Sequence, residues 1–139
     1  MNTEQVTDII IATEVKPEER LTMLPHYFGV FMMTVEQTVY NCLSEISEDY
    51  NGGEWKFYVL DNGAFYMAPS GGGNYKISVE GNYFNGLLSA DAAGIVACLF
   101  AYSRVSFSPK ASHIGQQYHL LREYALDHEE ASQILAAID

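Results

Sequence analysis

The chain has 139 residues, a formal net charge of −11 and only seven lysine and arginine residues. Apolar residues make up 48% of it and charged residues 18%, a composition that excludes a disordered chain and is typical of a globular protein. The seven cations are spread singly along the sequence, whereas binding to nucleic-acid phosphates needs several that converge. We therefore expect no direct nucleic-acid binding, and the composition favours another protein as the partner.

Cys42 and Cys98 lie far apart, each inside a predicted helix. This placement provides neither a disulfide framework nor a CxxC pair, so we expect buried, reduced thiols. The first residues are acidic where a signal peptide is basic, and no apolar stretch is long enough to span a membrane. The sequence thus predicts a cytoplasmic protein, and it shows no motif for a cofactor or a metal ion.

Residues 1–15 are weakly patterned, and we expect a weakly ordered N-terminal segment in a single domain over residues 1–139. The run 9–11 leaves two alternatives open, an edge strand or a segment that packs down. Pro17 predicts a short helix with Leu21 and Leu24 on its apolar side, followed by a turn over 25–29 that stops at its glycine.

A Thr34 and Gln37 capping box predicts a second helix that continues to about Glu48. The next segment, residues 52–69, is the densest run of strand-forming residues, and Asn62-Gly63 predicts a hairpin with a two-residue type I′ turn. That turn sets four cross-strand pairs: Leu60 with Phe65, Tyr58 with Met67, Val59 with Tyr66, and Phe57 with Ala68. Both faces of such a hairpin are apolar, so it is either covered on both sides or presents aromatic side chains to a partner.

The alternation over residues 75–80 predicts a third strand at the edge of this sheet, with two further turns at 81–82 and 85–86. Ser89 is then expected to cap a helix over 90–102 that is apolar almost all round and hence buried. Its small residues Ala93, Gly94 and Ala97 would let another element approach closely. The fold class predicted is α+β, with a small antiparallel sheet of about three strands built on the hairpin and packed with four to five helices.

Residues 103–112 are expected to form a polar loop, after which Ser112 starts a helix. A second capping box, Asp127 with Glu130, predicts a last helix from His128 to about Ala137. No strong catalytic motif accompanies these elements. His119 and Glu123 share a helical face, which leaves a small hydrolase-like enzyme with a histidine base as one alternative.

A second alternative is an acidic protein that imitates DNA and occupies the DNA-binding site of an enzyme. Mimicry needs surface carboxylates at about the phosphate spacing, and the eighteen acidic residues here are scattered. Composition alone therefore permits this alternative without favouring it.

Four blocks of sequence resemble the ArdB/KlcA antirestriction family of plasmids and other mobile elements: ERLTMLPHYFG at 19–29, YNGGEWKFYVLDNGAFYMAP at 50–69, LSADAAGIVA at 88–97 and AAID at 136–139. The resemblance implies an α+β protein that protects incoming plasmid or phage DNA from type I restriction-modification enzymes. It implies no catalytic residues. Combined with the scarcity of cations, it predicts a non-enzymatic inhibitor that contacts the restriction complex or an accessory host protein.

Positions inside the matching blocks are candidates for that contact. They are aromatic or acidic residues: Tyr27, Trp55, Tyr66, Asp91 and Asp139. Asp139 is the best candidate because it is charged and has no core to serve. Trp55 is the candidate that we expect to be structural.

Overall fold

A computed structural model describes residues 9–139 and contains five strands and five α-helices. The strands are β1 (Ala12–Glu14), β2 (Trp55–Leu60), β3 (Phe65–Pro69), β4 (Asn74–Val79) and β5 (Phe84–Ser89). The helices are α1 (Arg20–Phe28), α2 (Met32–Ile46), α3 (Ala90–Ser106), α4 (Ile114–Ala125) and α5 (Ala131–Ile138). The predicted α+β class is confirmed. The part of the N-terminal prediction that concerns residues 1–8 lies outside the described residues.

The central sheet has the antiparallel order β1-β2-β3. Of the two alternatives for the N-terminal run, the chain takes the edge strand, displaced to Ala12–Glu14, which pairs with residues 58–60 of β2. The predicted third strand, β4, instead pairs with β5 in a separate two-stranded sheet. The turn predicted at 85–86 is wrong, since Asn85 and Gly86 lie within β5.

The β2-β3 hairpin is confirmed, but its register is one residue away from the prediction. Tyr58 faces Tyr66 and Phe57 faces Met67, and the loop has three residues, with Leu60 donating to the Ala64 carbonyl at 2.9 Å. Only the loop glycine has a positive φ, as in a type I turn followed by a glycine bulge. Asn62 keeps a negative φ because its side chain is engaged, accepting from the Ala64 N–H at 3.1 Å and donating to the Leu120 carbonyl at 2.9 Å.

Helix α3 is the centre of the fold. Ser89 caps it as predicted, its hydroxyl accepting from the Ala92 N–H at 3.1 Å, and the helix is buried on nearly every side. It runs to Ser106, so the polar loop predicted from 103 begins later, because Val105 still faces the core. A Cβ at Gly94 would lie 2.5 Å from the Cβ of Ala68, so the predicted close approach of another element is confirmed, and that element is β3.

Strand β3 is an edge strand, yet all five of its residues are buried. Helix side chains take up its unpaired backbone groups. Gln117 accepts from the Phe65 N–H and donates to the Gly63 carbonyl, both at 2.9 Å, and the Tyr102 hydroxyl donates to the Phe65 carbonyl. The hairpin is therefore covered on both faces at β3, which was one of the two predicted alternatives.

Both predicted capping boxes are wrong. Thr34 lies inside α2, which begins at Met32. Glu130 does not cap a helix at residue 128, because its carboxylate binds Ser89 at the start of α3, and α5 begins only at Ala131.

Helix α1 departs from its prediction in two respects. It continues through Pro25 to Phe28, with Gly29 following at a φ of 55°, and Leu21 is exposed whereas Leu24 is buried. Within residues 9–139 no helix combines the length and apolar character needed to cross a bilayer.

Candidate functional site

Two of the predicted contact residues meet at the N-terminus of α3. The Tyr66 hydroxyl, from the middle of β3, donates to Oδ1 of Asp91 at 2.7 Å. Asp91 lies in the first turn of α3, where the helix dipole stabilises a negative charge. Its side chain remains 38% exposed, while Tyr66 is 1% exposed. The pair thus presents one carboxylate to solvent from a rigid, buried support.

His128, in the connection between α4 and α5, completes this cluster. Its Nε2 lies 2.8 Å from Oδ2 of Asp91, and its Nδ1 accepts from the Glu130 N–H at 3.0 Å. An acceptor at Nδ1 places the ring proton of the neutral form on Nε2, where it is donated to Asp91. Glu130 in turn accepts from the Ser89 N–H at 2.9 Å and from the Ser89 hydroxyl at 2.5 Å. Four segments of the chain are joined in this way at one end of α3.

Burial and the hydrogen bonds of the cluster shift the pKa values of Asp91, His128 and Tyr66. Burial raises the pKa of Asp91, but hydrogen bonds from His128 and Tyr66 outweigh it, and the net pKa is lowered. The hydrogen bond to Asp91 raises the pKa of His128 above its usual value, against a smaller opposing effect of burial. Burial, followed by the Asp91 charge, raises the pKa of Tyr66 far above its usual range. Asp91 is therefore ionised at neutral pH, and Tyr66 is a permanent donor.

Two shallow hollows flank the Asp91 carboxylate. One, of about 330 Å³, is bordered by Tyr124, Asp127 and His128. The other, of about 270 Å³, is bordered by Lys56 and by the glycine-rich connection between β3 and β4. The Ser89 hydroxyl is committed to the helix cap and to Glu130. Within residues 9–139 the cluster offers a fixed hydrogen-bond acceptor, and none of its hydrogen bonds activates a serine or cysteine.

The structure does not bring the other three predicted residues to this site. Trp55 is 4% exposed, donates to the Tyr50 hydroxyl at 3.1 Å and packs edge-on against Tyr40. Tyr27 is half-buried beside Phe65 on the opposite face of the sheet. Asp139 is exposed at the end of α5.

The residues of the enzyme alternative are not arranged as a base and its partner. His119 and Glu123 are both exposed on α4, and no hydrogen bond or salt bridge joins them among the described residues. Glu123 instead accepts a long hydrogen bond, 3.4 Å, from Asn62. Over residues 9–139 no three histidine, cysteine or acidic side chains are grouped so as to hold a metal ion.

The prediction of free, buried cysteines is confirmed. Burial raises the pKa of Cys42 to about 11 and that of Cys98 to about 12. Cys98 contacts the backbone of β3, where its thiol lies 3.5 Å from the Met67 N–H. Both thiols are therefore protonated and unreactive at neutral pH.

His128, Glu130 and Tyr124 were missed at the sequence level. His128 lies 37 positions from Asp91, and neither residue belongs to a spacing pattern that would join them. The capping-box pattern of Glu130 points to the helix that follows it, whereas its carboxylate binds Ser89 at the start of α3. The observed hairpin register places Tyr58 opposite Tyr66, and their rings stack at a centroid distance of 4.7 Å. This contact at the site is one that a correct prediction of the register would have given.

Comparison with known proteins gives consistent matches. Residues 48–139 match the sequence profile of a family described as "Antirestriction protein". Antirestriction protein KlcA of Escherichia coli is 42% identical over the full length of both chains. The protein YfjX of Escherichia coli K-12 is 36% identical over 91% of this chain and 86% of its own.

A solved structure is similar to this chain in both fold and sequence. It comes from work on the KlcA and ArdB proteins, described as having a novel fold and antirestriction activity against type I DNA restriction systems in vivo but not in vitro. It superposes with a TM-score of 0.88 at 44% identity and covers all of both chains. These matches confirm the resemblance found in the sequence, and the chain belongs to the antirestriction protein family.

Proposed function

We propose that this protein relieves type I restriction of incoming plasmid or phage DNA in the cytoplasm, as a non-enzymatic inhibitor that contacts the restriction complex or an accessory host protein. One observation carries the proposal. The matching KlcA and ArdB proteins are described as active against type I systems in vivo but not in vitro. Activity that needs the cell is what we expect if the contact requires an accessory host protein, or a state of the restriction complex, that a purified assay lacks.

The placement of the cations supports protein contact over DNA contact. The Arg104 guanidinium is paired with Glu45 at 3.1 Å, and that of Arg20 lies over the Phe57 ring at 5.2 Å. Lys76 and Arg104 do share a surface, but four carboxylates share it with them. A duplex releases few counterions to such a surface, so its affinity for DNA would be low.

The chemistry of the buried groups supports a non-enzymatic role. The two thiols are protonated, and the Ser89 hydroxyl is held by Glu130. The Asp91 and His128 pair binds Tyr66 and the Glu130 N–H, and among the described residues it makes no hydrogen bond to a serine or threonine hydroxyl. Inhibition by contact requires none of these groups to react.

Among the five candidate contact residues, accessibility separates two from the others. Trp55 and Tyr66 are buried and Tyr27 is half-buried, so their contribution is to support the surface. Asp91 and Asp139 expose carboxylates that a partner could reach. We retain Asp139 as the first residue to change.

The test is purification of the tagged protein from restricting cells without added nucleotide or metal. We expect a type I restriction subunit, or one accessory host protein, to co-purify in proportion to relief of restriction. The variant Asp139→Asn should reduce both, while Glu18→Gln, which removes an equal charge from an exposed site in the first described turns, should reduce neither. Relief without any co-purifying protein would count against contact.

The same preparation tests the DNA-mimic alternative. A mimic binds the purified type I enzyme directly, with an affinity that falls steeply as salt is raised. Binding that is absent from purified components, or independent of salt, would exclude it.

A further inference from the structure

The outer edge of β4 carries backbone groups that point away from β5. The Lys76 N–H donates at 2.8 Å to the Asp49 carboxylate, outside the β4-β5 pair. In an antiparallel pair, alternate residues direct both their N–H and C=O groups outward. Ser78 is two positions further on and shares that direction. On the opposite strand, the Ser89 N–H also points outward, to Glu130, as this register requires.

Ser78 leaves this edge open. The residue is exposed, and within residues 9–139 no side chain or backbone group hydrogen-bonds to its outward N–H and C=O. An open strand edge is a template for pairing with another chain. It is also the feature that proteins use when they recognise an extended peptide by adding it as a strand.

A groove of about 790 Å³ runs along the same edge. Its other wall is the end of α2 with the residues that follow, 45–49, and half-buried Ile46, Val79 and Phe100 contribute apolar surface to it. This volume lies within the range of roughly 300 to 1,000 Å³ that is typical of ligand pockets. The groove therefore has room for a short extended segment beside β4.

The rim of the groove is negatively charged. Four carboxylates and two cations line it. Arg104 is already paired with Glu45, and among the described residues no salt bridge engages Glu48 or Glu80. These two carboxylates lie on opposite walls, one after α2 and one after β4. A segment that enters between them meets negative charge on both sides.

From the open edge, the groove and its charge, we infer that β4 is a docking edge for an extended, basic segment of a partner protein. The segment pairs with the Ser78 backbone and directs lysine or arginine side chains to Glu48 and Glu80. The inference rests on the proposed function, because it adds one surface, separate from Asp91 and Asp139, through which protein contact occurs. A second copy of this chain fits poorly, since its net charge of −11 would repel the same acidic rim.

Ser78→Pro tests the strand pairing. Proline removes the outward N–H and is tolerated at an edge where that group faces solvent, so the ladder to β5 is retained. Leu87→Pro is the matched control, because Leu87 is exposed and faces Lys76 in the same class of cross-strand pair on the other strand. We expect relief of restriction to fall about tenfold in the first variant and to be little changed in the second. Circular dichroism should show that both variants are folded.

A charge variant covers the case in which Ser78→Pro does not fold. Glu48→Lys with Glu80→Lys leaves the backbone unchanged and should also lower relief about tenfold, whereas Glu18→Lys with Glu54→Lys, at two exposed sites outside the groove, should not. Full relief by a folded Ser78→Pro variant, or by the Glu48 and Glu80 variant, overturns the inference and leaves the proposed function intact. Absence of relief by the wild-type protein overturns the proposed function instead.

A binding measurement in vitro tests the docking inference separately from the proposed function. The probe is a fluorescent hexapeptide of alternating lysine and valine, together with a version whose alternate amide nitrogens are methylated. We expect the wild-type protein to bind the first peptide at least about tenfold more tightly than the second, because methylation removes the main-chain hydrogen bonds. Equal binding of both, no binding of either, or a protein dimer that Ser78→Pro dissociates would refute docking of a basic strand.

Discussion

The contact between α3 and β3 can be tested with a single methyl group. Gly94 lies in the middle of α3 against the backbone of β3. In Gly94→Ala the new Cβ would lie 2.5 Å from both the Cβ of Ala68 and the Met67 carbonyl oxygen, and 2.6 Å from the Cα of Ala68. These are backbone atoms or atoms fixed to it, so no side-chain rotation relieves the overlap. Helix and strand must separate by about 1 Å, the difference between 2.5 Å and an ordinary contact of 3.4 Å.

Two opposing effects set the magnitude. Alanine is about 1 kcal/mol more favourable than glycine inside a helix. Overpacking of a tight core costs about 1 to 3 kcal/mol, and the rigid backbone neighbours place Gly94→Ala at the upper end. Separation would also stretch the hydrogen bond from Tyr102 to the Phe65 carbonyl. We expect a net loss of about 2 kcal/mol in the free energy of unfolding, which lowers Tm by about 8 °C in a domain of this size.

Urea unfolding followed by circular dichroism measures this loss, and Gly115→Ala is the matched control. Gly115 lies near the start of α4, where a Cβ would meet Ser106 at an ordinary 3.6 Å. There the same substitution should be neutral or stabilise the protein by up to about 1 kcal/mol. If Gly94→Ala were as stable as the wild-type protein, the close approach of α3 to β3 would be refuted.

Four further predictions concern the core and the Asp91 cluster. Gln117→Leu leaves the Phe65 N–H and the Gly63 carbonyl without partners. It should lower the free energy of unfolding, measured by urea titration, by about 2 to 4 kcal/mol. A loss below about 0.5 kcal/mol would show that other groups hydrogen-bond to this edge of β3. Trp55→Ala should cost about 3 to 5 kcal/mol by the same measurement, and a neutral result would contradict its burial. Asp91→Asn should lower the pKa of His128, observed by NMR titration of its ring, because the carboxylate raises that pKa. In the wild-type protein the raised pKa of His128 stabilises the fold below the unfolded value of about 6.5, and this stability is lost as pH rises through the folded pKa. His128→Gln should remove that loss, and an unchanged pH profile would contradict the raised pKa of His128.

The sequence predicted an element correctly where its pattern depends only on residues within that element. The hairpin, the buried α3 and its Ser89 cap each follow from residues within a single element, and each is confirmed. The small residue Gly94 likewise indicated a close contact before the partner was known. Such features depend on backbone conformation and burial, which the local sequence encodes directly.

Predictions failed where a side chain binds an element that is distant in sequence. Asn62 was expected to adopt a positive φ, but its amide binds the Leu120 carbonyl of α4, and the hairpin register shifts by one residue. Glu130 was expected to cap its own helix, but it binds Ser89 instead. The Asp91 and His128 pair arises from the same kind of long-range contact. A single sequence does not reveal which distant group a polar side chain will bind.

The central claim is that relief of restriction occurs through contact with a protein, and crosslinking in restricting cells tests it most directly. A photoreactive amino acid would be placed at exposed positions, one at a time, in variants that still relieve restriction. We predict adducts with a type I restriction subunit or one host protein, confined to one face of the molecule. Adducts with DNA, or full relief without a protein adduct at any position, would contradict the claim.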